Sequence, residues 1–330
     1  MRICYIAASS VPSRTANSVH VMKMCQAYAR LGHDVSLVLP ELDHECESNV
    51  ADVFEFYGIE TRFRLLRVTN FRPRKLWYTT ALSISSVLRT RADWYHTRVD
   101  WTGFGLVKFL RQPTLLEMHD VPKAGSLREK FFKLAVKSSN MRGVVSITSA
   151  LQRMLAPHLP ASMPTLVASD GVDSSLIENA PTRDEARREL GIDHHKQPLI
   201  VYTGHLYEGR GVELVIELAK RHPHYRFMLV GGRNIDIEHW RRDTSDLRNV
   251  EFVGFVPPSQ VFTYLCSADV LLMPYAHKLT HSGGGDTAAV CSPMKMFEYM
   301  GAKRPIIASD LPVLQEVLAS ESNCLIAAYD

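Results

Sequence analysis

Short apolar runs alternate with stretches in which apolar positions recur every three or four residues, almost from one end of the chain to the other. The runs at 3–8, 35–39, 62–68, 94–96, 114–118, 143–147 and 165–168 predict strands, several of them apolar enough to be buried on both faces. The periodic stretches at 19–31, 75–88, 103–110 and 127–137 predict helices; the first places Val21, Cys25, Tyr28 and Leu31 on one face and stops at Gly32. Residues 169–173, Ser-Asp-Gly-Val-Asp, read as a turn and a domain hinge. A polar helix at 183–190 follows, and the alternation restarts, with strands at 199–203, 226–230, 250–253, 270–273, 305–309 and 324–327 and helices at 212–221, 238–245, 259–267, 294–300 and 313–318. Strand–helix alternation predicts parallel sheets. The expected fold class is α/β, with two Rossmann-like doubly wound domains, 1–170 and 171–330, facing a central cleft at their strand C-termini.

Composition narrows the class. A chain of 330 residues is long enough for two cores, and 46% apolar with 22% charged residues is ordinary for a globular protein. There is no apolar run of about 18 residues, and the N-terminus reads as a first strand, so a cytoplasmic location is expected. Six scattered cysteines without a C-x-x-C pair argue against a disulfide frame and a cysteine zinc site. The net charge of +3 conceals an asymmetry. Residues 1–170 carry 22 basic against 14 acidic side chains, and the remainder 16 against 21. Basic residues between 62 and 77, and the helix at 127–137 with Arg128, Lys130, Lys133 and Lys137, predict peripheral contact with an anionic membrane surface. No nucleic-acid partner is expected.

The chemistry concentrates at 282–310. Ser282 and three consecutive glycines form a loop that leaves backbone amides bare, and Ser292-Pro293 is expected to cap and open a helix. A glycine-rich loop feeding a helix N-terminus is an anion site. Lys295 opposes the helix dipole in the first turn, which makes sense beside an anion. Glu298 stands one turn further in, where a carboxylate suits sugar hydroxyls; phosphate beside hydroxyl suggests a nucleotide sugar. A second candidate runs from Gly204 through His205 to Gly209, Arg210 and Gly211, between a strand and a helix. Arg210 offers a planar fork to a diphosphate. The spacing is neither a Walker loop nor a dinucleotide fingerprint. Asn234, Asp236 and Glu238 lie at a helix start, where acids are expected as caps rather than metal ligands. His194-His195 reads as part of a polar turn.

Residues 198–318 resemble the nucleotide-binding domain of the family 4 glycosyltransferases, retaining enzymes of the GT-B fold. The family's G-R-L-x-x-x-K-G is met by Gly204-His-Leu-Tyr-Glu-Gly-Arg-Gly211, its strand and G-G by Met228-Leu-Val-Gly-Gly232, and its F-x-G-x-V by Phe252-Val-Gly-Phe-Val256. Ser292-Pro-Met-Lys-Met-Phe-Glu-Tyr-Met300 is similar to the family's glutamate helix, and Asp170-Gly-Val-Asp173 to its domain join. Ala16-Asn-Ser-Val-His-Val21 and Leu31-Gly-His-Asp34 extend the likeness to the first half. The resemblance implies diphosphate binding by Arg210, with Gly204 and His205 beside it, ribose binding by Glu298, a base flanked by backbone at Phe255, and phosphate held by amides at Met294, Lys295 and Met296. It implies that His119 reaches the donor sugar and that Asn17 and Ser18 line the acceptor side.

The family's first glutamate would fall at Val290, so Asp286 and Thr287 are the polar candidates for its role, with Asp286 counted among the catalytic residues. The expected activity is metal-independent retaining transfer, without a cofactor, from a nucleotide diphosphate sugar, UDP favoured, to a glycan or lipid-linked acceptor in surface-polysaccharide assembly. A nucleotide-sugar epimerase and a non-catalytic nucleotide-sugar-binding partner are the alternatives. A dinucleotide oxidoreductase is disfavoured, because the first strand lacks the glycine fingerprint. Family members continue with helices that cross back onto the first domain, and the chain is expected to lack them.

Overall fold

The computed structural model describes residues 1–41, 46–68, 75–192, 197–207, 209–276 and 288–328, with the backbone alone at 75–80. The chain divides into two compact units, Met1–Ser169 and Asp170–Asp330. In chain order the first unit comprises β1 (Arg2–Ile6), α1 (Ala16–Arg30), β2 (Asp34–Pro40), α2 (Val53–Phe56), β3 (Arg64–Val68), α3 (Lys75–Thr90) and β4 (Trp94–Thr97). It continues with α4 (Asp100–Lys108), β5 (Thr114–Met118), α5 (Leu127–Val136), β6 (Met141–Ser146), α6 (Ser149–Leu155) and β7 (Thr165–Val167). The second unit opens with α7 (Ser174–Glu178) and α8 (Arg183–Glu189), followed by β8 (Leu199–Thr203), α9 (Val212–Arg221), β9 (Arg226–Val230), α10 (Asn234–Asp243) and β10 (Val250–Gly254). It ends with α11 (Pro258–Ser267), β11 (Val270–Met273), α12 (Met294–Gly301), β12 (Ile306–Ser309) and β13 (Leu325–Ala327).

Both sheets are wholly parallel. Their strand orders are β3-β2-β1-β4-β5-β6-β7 and β10-β9-β8-β11-β12-β13. Each is doubly wound, so the order reverses once, between β1 and β4 in the first and between β8 and β11 in the second. Helices cover both faces, and for this reason the strands carry consecutive buried residues instead of alternating ones. In the second sheet Val201, Met228, Val230, Leu271 and Met273 belong to one core with Phe262, Leu265 and Met296. Tyr202, Phe227, Leu229 and Leu272 belong to the other, with Val212, Val215 and Ile216 of α9.

Local chemistry moved several boundaries. The helix expected at 19–31 begins at Ala16, because the Thr15 hydroxyl accepts from the Ser18 amide at 3.3 Å and caps three residues earlier than the apolar pattern starts. The strand expected at 62–68 starts at Arg64; Arg62 instead pairs with Asp52, the cap of α2. Helices α2, α6 and α7 are too short for a periodic signal, yet each is capped by an Asp or Thr side chain, from Asp52, Thr148 and Asp173. The hinge turn thus leads directly into a helix. The helix expected at 313–318 shrinks to a single 3-10 turn at Leu314–Glu316.

The basic helix α5 turns Phe132, Ala135 and Val136 into the core. Arg128 binds Asp100 at 2.6 Å, and Lys133 binds Glu129 at 2.6 Å. Part of its positive charge is therefore answered within the unit. Arg67, from the other basic stretch, donates to the carbonyls of Val11 and Pro40. Arg72, Arg74 and the side chains of Lys75 and Trp77 lie outside the described residues, as do His194 and His195. Among the described residues no helix is long and apolar enough to cross a membrane.

Truncating the buried ring of α5 should cost far more than truncating its exposed cation. Phe132→Ala is expected to lose about 3–5 kcal/mol in urea unfolding. Lys130→Ala should stay within about 0.5 kcal/mol. Equal losses would show that this face does not form core.

Candidate functional site

In the second unit the chemistry gathers where the strand order reverses, at the C-terminal ends of β8 and β11. Gly204 leaves β8 with φ +134°, and Gly211 caps α9 with φ +76°. A Cβ on Gly211 would lie 1.5 Å from the Pro274 carbonyl oxygen, and one on Gly231 would lie 2.3 Å from that of Gly204. No side chain fits at either place, so the turns after β8, β9 and β11 meet backbone to backbone. The Gly231 amide donates to the Gly254 carbonyl at 2.7 Å, drawing in the end of β10 and, next to it, the half-buried Phe255.

Two cations flank the ring of Tyr275. The Lys295 Nζ lies 4.9 Å from its centroid and 4.2 Å from that of Tyr202; the Arg210 guanidinium lies 5.5 Å from it and 5.0 Å from that of Tyr207. Arg210 donates to the Tyr207 hydroxyl at 2.9 Å. The Lys295 Nζ is buried and has no hydrogen-bond partner among the described residues. Burial, and then the charge of Arg210, push its pKa well below the usual lysine range, while Glu298 pulls the other way. His205 stacks on Tyr207 with centroids 5.1 Å apart. Burial first, then Arg210 and Lys295, lower its pKa to about 4, so at neutral pH it is an uncharged imidazole. Aromatic faces compensate a desolvated ammonium only in part, by about 2 kcal/mol or somewhat more against a desolvation cost of several. The arrangement is a cation-rich cluster whose charge suits a compact, multiply charged anion.

α12 reaches this point by a different route from the one expected. Pro293, not Ser292, is its cap residue and makes no side-chain cap bond. The Ser292 hydroxyl is buried and accepts from the Asp170 amide at 3.0 Å, tying the start of the helix to the start of the unit. A proline at the boundary leaves the serine one position too early to cap. The Met296 amide already donates to the Pro293 carbonyl at 2.9 Å, which leaves Met294 and Lys295 as the amides at the helix start. Glu298 is half-buried within the helix. Tyr299 is fully buried; its hydroxyl accepts from the Thr203 amide at 2.9 Å and donates to the Leu272 carbonyl at 3.2 Å, locking α12 to β8 and β11. Val290 is buried. Asp286, Thr287 and the glycine loop lie outside the described residues. Asp236 is held by Arg233 at 2.7 Å, a pairing at the start of α10.

The first unit contains a polar centre that the sequence reading did not assemble. Around Glu117, at the end of β5, stand His20 of α1, His96 of β4, Arg98, His119 and Tyr5 of β1. His119 Nε2 lies 2.5 Å, His20 Nε2 3.0 Å and Arg98 Nε 3.4 Å from Glu117 Oε1. The Tyr5 hydroxyl donates to Oε2 at 2.9 Å, and His96 Nε2 stands 3.2 Å from it. Burial opposes ionisation of Glu117, but contacts from His119, His20 and His96 outweigh it and hold the carboxyl well below its usual range. His119 is thus part of this polar cluster, whereas Asn17 is exposed on α1 and Ser18 is buried with its hydroxyl donating to the Ser13 and Thr15 carbonyls. One signal was available: Glu117 is a lone carboxylate inside an apolar strand, and such a group is buried only when paired.

Replacing the buried ammonium should stabilise the ligand-free protein. Lys295→Met is expected to raise stability by about 1–4 kcal/mol while abolishing stabilisation by pyrophosphate; a less stable variant would mean that Lys295 has a partner. An unfolded histidine takes up its proton near 6.5, and His205 resists until about 4. Stability should therefore fall as pH is lowered through that window, and His205→Asn should flatten the slope of the urea midpoint against pH. Parallel slopes would contradict the burial of this ring.

Residues 18–176 match the model of Glycosyltransferase Family 4, and residues 197–330 that of Glycosyl transferases group 1. Among curated proteins, the 2-deoxystreptamine glucosyltransferase of Streptomyces kanamyceticus is 28% identical over 144 residues, spanning 41% of this chain and 37% of that protein's length. Among solved structures, HepE of Anabaena in complex with UDP superposes with a TM-score of 0.71 at 16% identity, covering 99% of this chain and 86% of that one. The sucrose-phosphate synthase of Thermosynechococcus elongatus gives 0.71 at 16% identity, over 100% and 86%. With its two units matched in turn by a Glycosyltransferase Family 4 model and a Glycosyl transferases group 1 model, and two parallel α/β sheets of the GT-B kind beneath them, the chain has the domains of a GT-B glycosyltransferase.

Proposed function

We propose that the protein is a metal-independent retaining glycosyltransferase, moving a sugar from a nucleotide diphosphate donor, a UDP-sugar in preference, to a hydroxyl of a glycan or lipid-linked acceptor. The observation that carries this reading is the buried Lys295 Nζ, without a hydrogen-bond partner among the described residues, beside Arg210 at a junction of turns that only glycine permits. Desolvated positive charge of this kind is costly until an anion arrives. HepE has been solved with UDP, with UDP and glucose, and with UDP-glucose, which supports a uridine diphosphate as that anion.

In the proposed reaction the bond between the anomeric carbon and the diphosphate oxygen breaks, and the electron pair leaves with the diphosphate. Arg210 and Lys295 offset the charge gathering there; one well-placed donor contributes about 3–4 kcal/mol in such sites. The acceptor oxygen bonds to the same face of the sugar, and its proton passes to the departing phosphate. His205, already neutral, gains basicity as the anion binds and can then donate to it. Glu298 holds the ribose hydroxyls. Surface-polysaccharide assembly is the setting that fits such an acceptor.

The test is thermal unfolding with UDP, GDP, ADP and their sugar conjugates. A ligand at about 100 times its dissociation constant adds roughly 2.7 kcal/mol. UDP should stabilise the wild type, and Arg210→Ala and Glu298→Ala should lose the effect. A protein indifferent to every nucleotide would refute the assignment. Binding without transfer to any acceptor hydroxyl would favour the non-catalytic reading, and conversion of donor without acceptor would favour an epimerase.

A further inference from the structure

The carboxylate of Glu117 lies where the first sheet reverses, between β1 and β4, the position at which doubly wound sheets bind ligands. Its neighbours carry more information than their proximity. The Nδ1 atom of His119 is 3.1 Å from Arg98 Nη2, while Nε2 of the same ring meets Glu117 Oε1. A guanidinium only donates, so Nδ1 must accept. An ionised carboxylate only accepts, so Nε2 must carry the proton. The two contacts together admit one form of the ring, neutral and protonated at Nε2. An imidazolium would set two N–H groups against each other at Arg98.

The same atoms superficially suggest a metal centre, since one ligand atom each from His20, Glu117 and His119 lie within 4.8 Å of one another. Ligation through His119 Nε2 would move its proton to Nδ1, directly against the Arg98 donor. Arg98 would also stand 3.4 Å from the carboxylate oxygen that has to bind the ion. The donor set suits a held proton better than a cation.

We propose that Glu117 is a positioning residue that, with Arg98, holds His119 as a fixed, neutral Nε2–H imidazole. Burial of the ring and the charge of Arg98 agree with this, since both lower its pKa. What the fixed ring serves rests on the transferase reading, in which a ring held in one orientation and one protonation state offers substrate an unchanging surface. The tautomer itself does not depend on that reading.

The experiment uses the full chain with ¹⁵N-labelled histidine, long-range ¹H–¹⁵N spectra at pH 7.5, and His119→Asn to assign the ring. The expected wild-type pattern is a single Nε2–H tautomer. Glu117→Met and Arg98→Met should each release it into exchange, and Glu117→Gln, which retains an acceptor oxygen, should restore it in part. An Nδ1–H tautomer or an imidazolium in the wild type overturns the proposal even if every variant fails to fold. So does zinc at micromolar concentration that raises Tm and shifts the His20 and His119 resonances together. With a donor and acceptor in hand, Glu117→Met should lower kcat ~10–100-fold with little change in donor KM. Absence of any turnover in the wild type would count against the transferase reading alone, and a wild-type spectrum of the wrong tautomer against this proposal alone.

Discussion

The close approach of backbone to backbone at the end of β8 is the constraint on which the second unit depends. With the Pro274 carbonyl where a Cβ of Gly211 would be, the turns after β8 and β11 share one surface. Tyr299 then fastens α12 to both strands through a single hydroxyl. These contacts carry Arg210 and Lys295, which are 85 residues apart in the chain, to one tyrosine ring. A side chain larger than hydrogen at position 211 would separate the turns and with them the cations. The chemistry of this cluster is thus set by sterics first and by charge second.

The two units handle buried charge in opposite ways. Around Tyr275 positive groups accumulate, His205 is driven neutral, and Lys295 is left without a hydrogen-bond partner among the described residues. Such a site stores unfavourable desolvation that a bound anion can relieve, so part of its instability is the counterpart of its affinity. Around Glu117 a single carboxylate is answered by a guanidinium, a tyrosine and three imidazoles. The carboxylate itself is fully engaged, and the contacts it makes fix orientations instead of waiting for charge, although Arg98 Nη1 has no hydrogen-bond partner among the described residues. Both lie at the reversal point of their own sheet, where no helix crosses directly between neighbouring strands and the loop ends are left open.

The alternation of apolar runs and periodic stretches was enough to determine two doubly wound α/β halves, and the glycine, arginine and lysine positions of the second half were legible because turns and helix starts announce themselves locally. Short helices were not legible, since four to seven residues such as those of α2 and α6 cannot show a period. Nor was the role of Ser292, whose hydroxyl is claimed by Asp170, more than a hundred residues earlier. The first-unit centre was read as His119 alone. Tertiary structure decided the rest, because His20, the pair His96 and Arg98, and Glu117 come from three separate strand–helix repeats and meet only when β1, β4 and β5 lie side by side. Local sequence determines which backbone each segment adopts; which side chains share a buried charge depends on strand order, and that is fixed only by packing the whole sheet.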